Sequence, residues 1–188
     1  QVKDAYRAAA EAGTCGAVLS RLFQRAFATA KRVKNETGIA ERPVAVARVA
    51  VLLAKQIFET LEDKRALLIG AGDMIEAALI ALHDHGLGSR RVVNRTRAHA
   101  EALARRFDGT AHGLDELDAL LPECDVVLAC VGGTGPILTR ERVEASLRRR
   151  HDRPLFLIDI GVPRNIDPAV HEIDSAYLYD LDDLQEVA

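Results

Sequence analysis

This 188-residue sequence predicts a doubly wound α/β fold on a parallel sheet, preceded by a long α-helical segment. Three observations carry that expectation. From Lys64 onward, short apolar runs alternate with amphipathic stretches, the pattern of right-handed βαβ units. The first of those runs ends in Gly70-Ala71-Gly72 and leads straight into a helical pattern. Ahead of Lys64, apolar residues recur at three- and four-residue steps, the period of a helix.

Residues 1–60 read as helix nearly throughout. Between Gly13 and Gly38 the stripe Leu19, Leu22, Phe23, Ala26, Phe27, Ala30 and Val33 defines one long amphipathic helix, with Thr14 as N-cap and Gly38 as stop. Arg21, Arg25, Lys31, Arg32 and Lys34 occupy its other face and read as a solvated surface rather than an RNA contact. Thr37 to Pro43 is a short linker, so residues 1–42 are assigned to a helical segment and residues 43–188 to a nucleotide-binding domain. A second helix is expected from Val44 to Leu61, apolar nearly all round and therefore buried.

The sheet follows. Strands are expected at Arg65–Ile69, Arg91–Val93, Thr110–His112, Asp125–Val131, Pro154–Ile160 and Ala176–Tyr179. Helices are expected between them at Met74–His85, Arg97–Arg106, Leu114–Leu121 and Thr139–Arg150, the first of them stopped by Gly86. Asp180, Asp182 and Asp183 read as an exposed exit toward further chain.

Composition excludes several function classes. Hydrophobic residues at 48%, charged residues at 28% and a mean hydropathy of −0.01 describe an ordinary globular chain. A formal charge of −3 supplies no basic field for nucleic acid. Trp is absent and aromatics reach only 4%, which argues against a base-stacking surface. No apolar run spans a bilayer and no signal peptide opens the chain, so a cytoplasmic protein without a membrane partner is expected. Because it opens on Gln1 rather than Met, the chain reads as a piece of something longer. Cys15, Cys124 and Cys130 have no metal-binding spacing and read as reduced structural thiols; the histidines are scattered, and no metal site is expected.

Four constellations carry chemistry. In Gly70-Ala71-Gly72-Asp73-Met74-Ile75, Gly70 permits the tight turn. Gly72 lets the backbone approach a pyrophosphate, which meets free amides at the helix start. Gly72 is also expected to hold a backbone conformation that favours glycine. Ile75 replaces the customary third glycine, so helix–strand packing should differ there. Asn94-Arg95-Thr96, at the end of the second strand, lacks the acid that would select NAD. Arg95 and Thr96 offer charge and a hydroxyl to a 2′-phosphate, which favours NADPH. Cys130-Val131-Gly132-Gly133-Thr134-Gly135-Pro136 follows the fourth strand, at the sheet edge where a nicotinamide or its ribose lies; turn chemistry would explain its glycines equally well. Finally, Arg164 of Asp159-Ile160-Gly161-Val162-Pro163-Arg164 either orients the cofactor or pairs with Asp159 or Asp167, the pairing being favoured.

These residues resemble the glutamyl-tRNA reductases. The likeness covers essentially the whole chain and includes Leu22-Phe23-Gln24-Arg25-Ala26-Phe27, Glu36-Thr37-Gly38-Ile39, Asn94-Arg95-Thr96, Asp159-Ile160-Gly161-Val162-Pro163-Arg164 and Tyr177-Leu178-Tyr179-Asp180-Leu181-Asp182-Asp183-Leu184. The glycine turn and Asn-Arg-Thr are shared with shikimate dehydrogenases; the helical segment and the Asp-Asp-Leu exit are not. The resemblance implies a Rossmann-like NADPH domain in an enzyme that reduces glutamyl-tRNA(Glu) to glutamate-1-semialdehyde for tetrapyrrole (porphyrin, haem) synthesis. It implies a catalytic cysteine upstream of Gln1, a homodimer formed through a domain downstream of Ala188, and glutamate-1-semialdehyde aminomutase as a partner. It assigns Gln1 to the substrate pocket. Gly70, Ala71, Gly72, Asp73, Met74, Ile75, Asn94, Arg95, Thr96, Val131, Gly132 and Gly161 are assigned to the cofactor. Ala45 and Arg48, Gly132, Gly133 and Gly161 depart from the family's usual residues. A shikimate-type NADP dehydrogenase and a non-catalytic docking module of the same fold are the competing readings.

Overall fold

Uninterrupted aliphatic runs become the interior of the sheet because both of its faces are covered. The computed structural model describes residues 2–37, 42–133, 135–151 and 153–187. Gln1, Gly38 and Thr134, each singled out by sequence, lie outside them, as do the side chains of Lys34 and Ala45. The chain divides into two compact units, Gln1–Arg42 and Pro43–Ala188.

The first unit holds α1 (Val2–Glu11) and α2 (Ala17–Glu36). Tyr6 of α1 meets Phe23 and Phe27 of α2 with ring centroids 5.2 and 5.7 Å apart, favourable aromatic spacing. The remainder of the expected stripe faces outward, with Leu19 at 47% and Leu22 at 59% exposure, because α1 supplies one ring to cover it. Gly16 is the N-cap of α2; Thr14 instead donates its hydroxyl to the Ala9 carbonyl and finishes α1. Arg21, Arg25, Lys31 and Arg32 of α2 are solvated as expected, Arg32 pairing along the helix with Glu36 at 3.2 Å.

The second unit begins with α3 (Arg42–Ile57). It is amphipathic rather than buried all round: Ala47, Ala50, Val51 and Ala54 are buried while Leu52 is 56% exposed. The strands β1 (Arg65–Ile69), β2 (Ser89–Val93), β3 (Thr110–His112), β4 (Val126–Ala129), β5 (Leu155–Asp159) and β6 (Ala176–Asp180) pair in parallel in the order β3-β2-β1-β4-β5-β6. That order reverses direction between β1 and β4, which opens a crevice at their carboxyl ends. Helices α4 (Asp73–Asp84) and α5 (Arg97–Arg105) share one face with α3, over Leu68, Val92, Leu128 and Phe156. The helix α7 (Arg140–Arg149) and the short α6 (Leu117–Leu120) cover Leu67, Ile69, Val127 and Leu157 on the other. Each such fully buried side chain contributes about 1.5–3 kcal/mol.

Two further expectations change. The helix over Leu114–Leu121 is three short pieces, a 3₁₀ turn at Leu114–Glu116, α6, and a second 3₁₀ turn at Leu121–Glu123 begun around Pro122. Residues 180–183, read as an exposed exit, instead start α8 (Leu181–Val187). Asp180 Oδ1 accepts the amides of Asp182 and Asp183 at 2.8 and 3.1 Å, and Asp183 Oδ2 accepts that of Asp180 at 2.8 Å, a reciprocal cap. Asp180 is buried for this reason, and Leu184 of α8 joins the core.

Candidate functional site

The β1–β4 crevice is a cleft of about 650 Å³. Its floor is the glycine turn. Gly70 has φ +121°, a conformation that L side chains rarely adopt, and a Cβ there would strike the Cys130 carbonyl. Gly72 differs. Its φ of −92° and ψ of 176° suit any residue, so no backbone requirement holds it, contrary to expectation. A Cβ on Gly72 would meet nothing within 4 Å. The bare position borders the cleft at the start of α4, where no side chain caps the helix. The first amides of α4, at Asp73, Met74 and Ile75, have no acceptor within the helix and form a cradle for an anion. The Ile75 side chain is fully buried and lies 3.4 Å from where a Gly70 Cβ would stand, so it fills the space under the turn.

Across the cleft stand Asn94 and Arg95, with His99 one turn into α5. Asn94 Nδ2 donates to the Thr96 carbonyl at 3.0 Å and shapes the bend. Arg95 is exposed, and among the described residues no carboxylate pairs with it. His99 was missed by sequence reasoning; its position four residues past Arg95, on the first turn of the following helix, was the available signal.

The far wall is Cys130, Val131, Gly132 and Gly133. None of Gly132, Gly133 and Gly135 has a left-handed φ, and each has open space where a Cβ would be. Turn geometry therefore does not require these glycines, and they leave bare main chain beside the cleft. Burial pushes the Cys130 thiol pKa up, and the nearby Asp159 carboxylate pushes it further, away from the thiolate a nucleophile needs. Cys124 is wholly buried and is pushed up to about 11.

Of the residues assigned by sequence, Gly70, Ala71, Gly72, Asn94, Arg95, Val131 and Gly132 line this one cleft. Asp73 and Met74 adjoin it through the helix start, and Thr96 is the N-cap of α5. Gly161 does not line it. It borders a smaller hollow of about 220 Å³ together with Arg164 and Asp180. Arg164 pairs with neither expected acid; it meets Asp180 at 2.6 Å and Asp182 at 3.7 Å. Asp159 is occupied otherwise, accepting the amides of Gly161, Asn165 and Ile166 at 2.7–2.9 Å. Burial raises its pKa, outweighing those three donors.

Comparison with known proteins gives this geometry a context. The glutamyl-tRNA reductase of Desulfatibacillum aliphaticivorans is 48% identical over 187 residues, a match covering 100% of this chain. That of Syntrophus aciditrophicus is 49% identical over the same length. The chain belongs to the glutamyl-tRNA reductase family. Residues 1–37 match the family described as glutamyl-tRNAGlu reductase, N-terminal domain, and residues 52–187 belong to the one described as shikimate / quinate 5-dehydrogenase. The glutamyl-tRNA reductase of Methanopyrus kandleri superposes with a TM-score of 0.73 at 36% identity, over 100% of this chain and 47% of that one. The nucleotide-binding domain of the Thermoplasma volcanium enzyme shares the fold, with a TM-score of 0.56 at 19% identity over 76% of this chain and 89% of that one. The chain spans 43% and 44% of the two bacterial relatives' lengths. No described helix is long and apolar enough to cross a membrane, and no described group of acids, histidines and cysteines could hold a metal.

Proposed function

We propose that the cleft holds NADPH and that this chain is the cofactor-bearing part of an enzyme reducing glutamyl-tRNA(Glu) to glutamate-1-semialdehyde, on the route to tetrapyrroles. One observation carries the reading: an uncapped helix start behind a bare Gly72 and an unpaired Arg95 border the same cleft, with no acid beside them among its described lining residues. The amides of Asp73, Met74 and Ile75 would hold the pyrophosphate, and Arg95 with Thr96 the 2′-phosphate. Main chain at Val131 and Gly132 would border the nicotinamide half. The bound cofactor supplies a hydride. The chain's own share is to bind it, orient it and keep that side of the cleft free of competing charge. Gln1 as a substrate contact, a homodimer, a cytoplasmic setting and delivery of the product to glutamate-1-semialdehyde aminomutase belong to the same reading.

NADPH should bind more tightly than NADH, and Arg95→Asp should erase or invert the preference. A charge-assisted contact of this kind is worth on the order of 1.5–3 kcal/mol, or roughly 10- to 150-fold in affinity. Calorimetric titration of both nucleotides checks it. Equal affinities in the unmodified chain would remove Arg95 from the site, and uptake of neither would leave a docking module of the same fold.

The chain alone should not turn over glutamyl-tRNA, even saturated with NADPH. Acyl transfer to a thiol needs a thiolate, and Cys124 and Cys130 are both shifted away from ionisation. Semialdehyde production that disappears in Cys130→Ser would overturn this expectation.

A further inference from the structure

Asn165 is fully buried and was singled out neither by sequence nor by the cleft lining. Its side chain holds both main-chain groups of Val131: Oδ1 accepts the Val131 amide at 2.7 Å, and Nδ2 donates to the Val131 carbonyl at 3.1 Å. The same Nδ2 donates to the Pro163 carbonyl at 3.3 Å. These partners fix the orientation of the amide, since a flipped group would set donor against donor and acceptor against acceptor. Its own main-chain carbonyl accepts the amides of Ile137 and Leu138 at 2.7 and 3.1 Å. The glycine-rich loop after β4 therefore closes at both ends on a single residue, Val131 through the side chain and Ile137 through the backbone. Asn165 is held in turn, its own amide donating to Asp159 at 2.7 Å.

Gly161 belongs to this arrangement. A Cβ there would fall on the Asn165 amide, striking Oδ1 and crowding Nδ2. Glycine at 161 leaves room for the asparagine, which accounts for its presence without any cofactor contact.

We propose that Asn165 is a positioning residue for the nicotinamide half of the cofactor, acting by shaping the Val131–Gly133 main chain that borders the cleft. The proposal rests on the NADPH reading above. In a doubly wound sheet each βαβαβ half receives one mononucleotide, so the loop after β4 serves the nicotinamide side, while Arg95 and the β2 end serve the adenosine side. A change at Asn165 should accordingly be felt by one half of the ligand.

The test titrates NADPH and 2′,5′-ADP, which lacks the nicotinamide half, into the unmodified chain and into Asn165→Leu. The substitution keeps the approximate size and removes three hydrogen bonds, leaving the Val131 groups without partners. NADPH affinity should fall about tenfold, whereas 2′,5′-ADP should bind as before. Gly161→Ala, which displaces the Asn165 amide without removing it, should reproduce the split and serves if Asn165→Leu does not fold. Equal losses for both ligands, or an unchanged NADPH affinity in a folded variant, would overturn the proposal. Unfolding of both variants would do so too, since Asn165 would then be supporting the fold and not the loop. Failure of the unmodified chain to bind either ligand would instead overturn the NADPH reading.

Discussion

Gly72→Val should leave the chain folded and reduce NADPH binding at least about 100-fold, while Gly70→Ala should do the reverse damage. The two glycines stand two residues apart in one turn, yet their environments are opposite. At Gly72 the backbone is extended, which valine adopts readily, and the new side chain enters open space. On the proposed reading that space is where a pyrophosphate approaches the first amides of α4, so the added methyls should block the ligand and nothing else. At Gly70 the φ of +121° strains any L side chain by about 1–3 kcal/mol, and the Cβ meets the Cys130 main chain rather than solvent. Urea unfolding should therefore show a destabilised Gly70→Ala variant and a nearly unchanged Gly72→Val. Near-normal NADPH affinity in folded Gly72→Val would refute the glycine-turn cradle and shift the phosphates to side chains.

Arg150→Ala should cost about 3–5 kcal/mol of stability, the largest effect expected anywhere outside the cleft. Its guanidinium is wholly buried at the end of α7. It donates to the carbonyls of Pro122, Cys124, Arg153 and Pro154 and meets Asp125 Oδ1 at 3.3 Å. Truncation strands four carbonyls and weakens the neutralisation of Asp125, which among the described residues keeps the more distant Arg65 and Arg153 at 3.7 and 3.6 Å. Lysine should rescue little, because one ammonium cannot reach partners spread around a planar fork. Thermal unfolding should shift down by roughly 10 °C for a unit of this size. A shift of only a degree or two in Arg150→Ala would show that water fills the vacated space and satisfies those groups.

The central strands β1, β4 and β5 were legible because each is a nearly continuous apolar run, and a sheet covered on both faces requires no alternation. Arg65–Ile69 and Thr110–His112 were read to the residue. The turn at Gly70–Gly72 and the bend at Asn94–Thr96 were legible as well, since both follow strands and open helices, a context visible within about ten residues. The cap at Asp180–Asp183 was equally local and was missed: an Asp-x-x-Asp spacing with Leu181 and Leu184 was taken for solvated charge.

What the sequence determined by itself is whatever depends on neighbours along the chain: the period of each element, the glycine turn, the missing acid beside Arg95, and so the sheet edge that carries the cleft. Only the tertiary structure decided between chemically identical residues. Arg148, Arg149 and Arg150 are consecutive and alike in sequence, but one is buried among carbonyls brought from residues 122–125 and 153–154 while the other two face water. Arg164 found Asp180 rather than Asp159, because backbone amides from three other residues already occupy Asp159. Asn165 became the anchor of a loop 34 residues away. The reason is common to all three. A charge or an amide takes the partner that burial leaves it, and burial is set by contacts between segments whose separation along the chain carries no local signal.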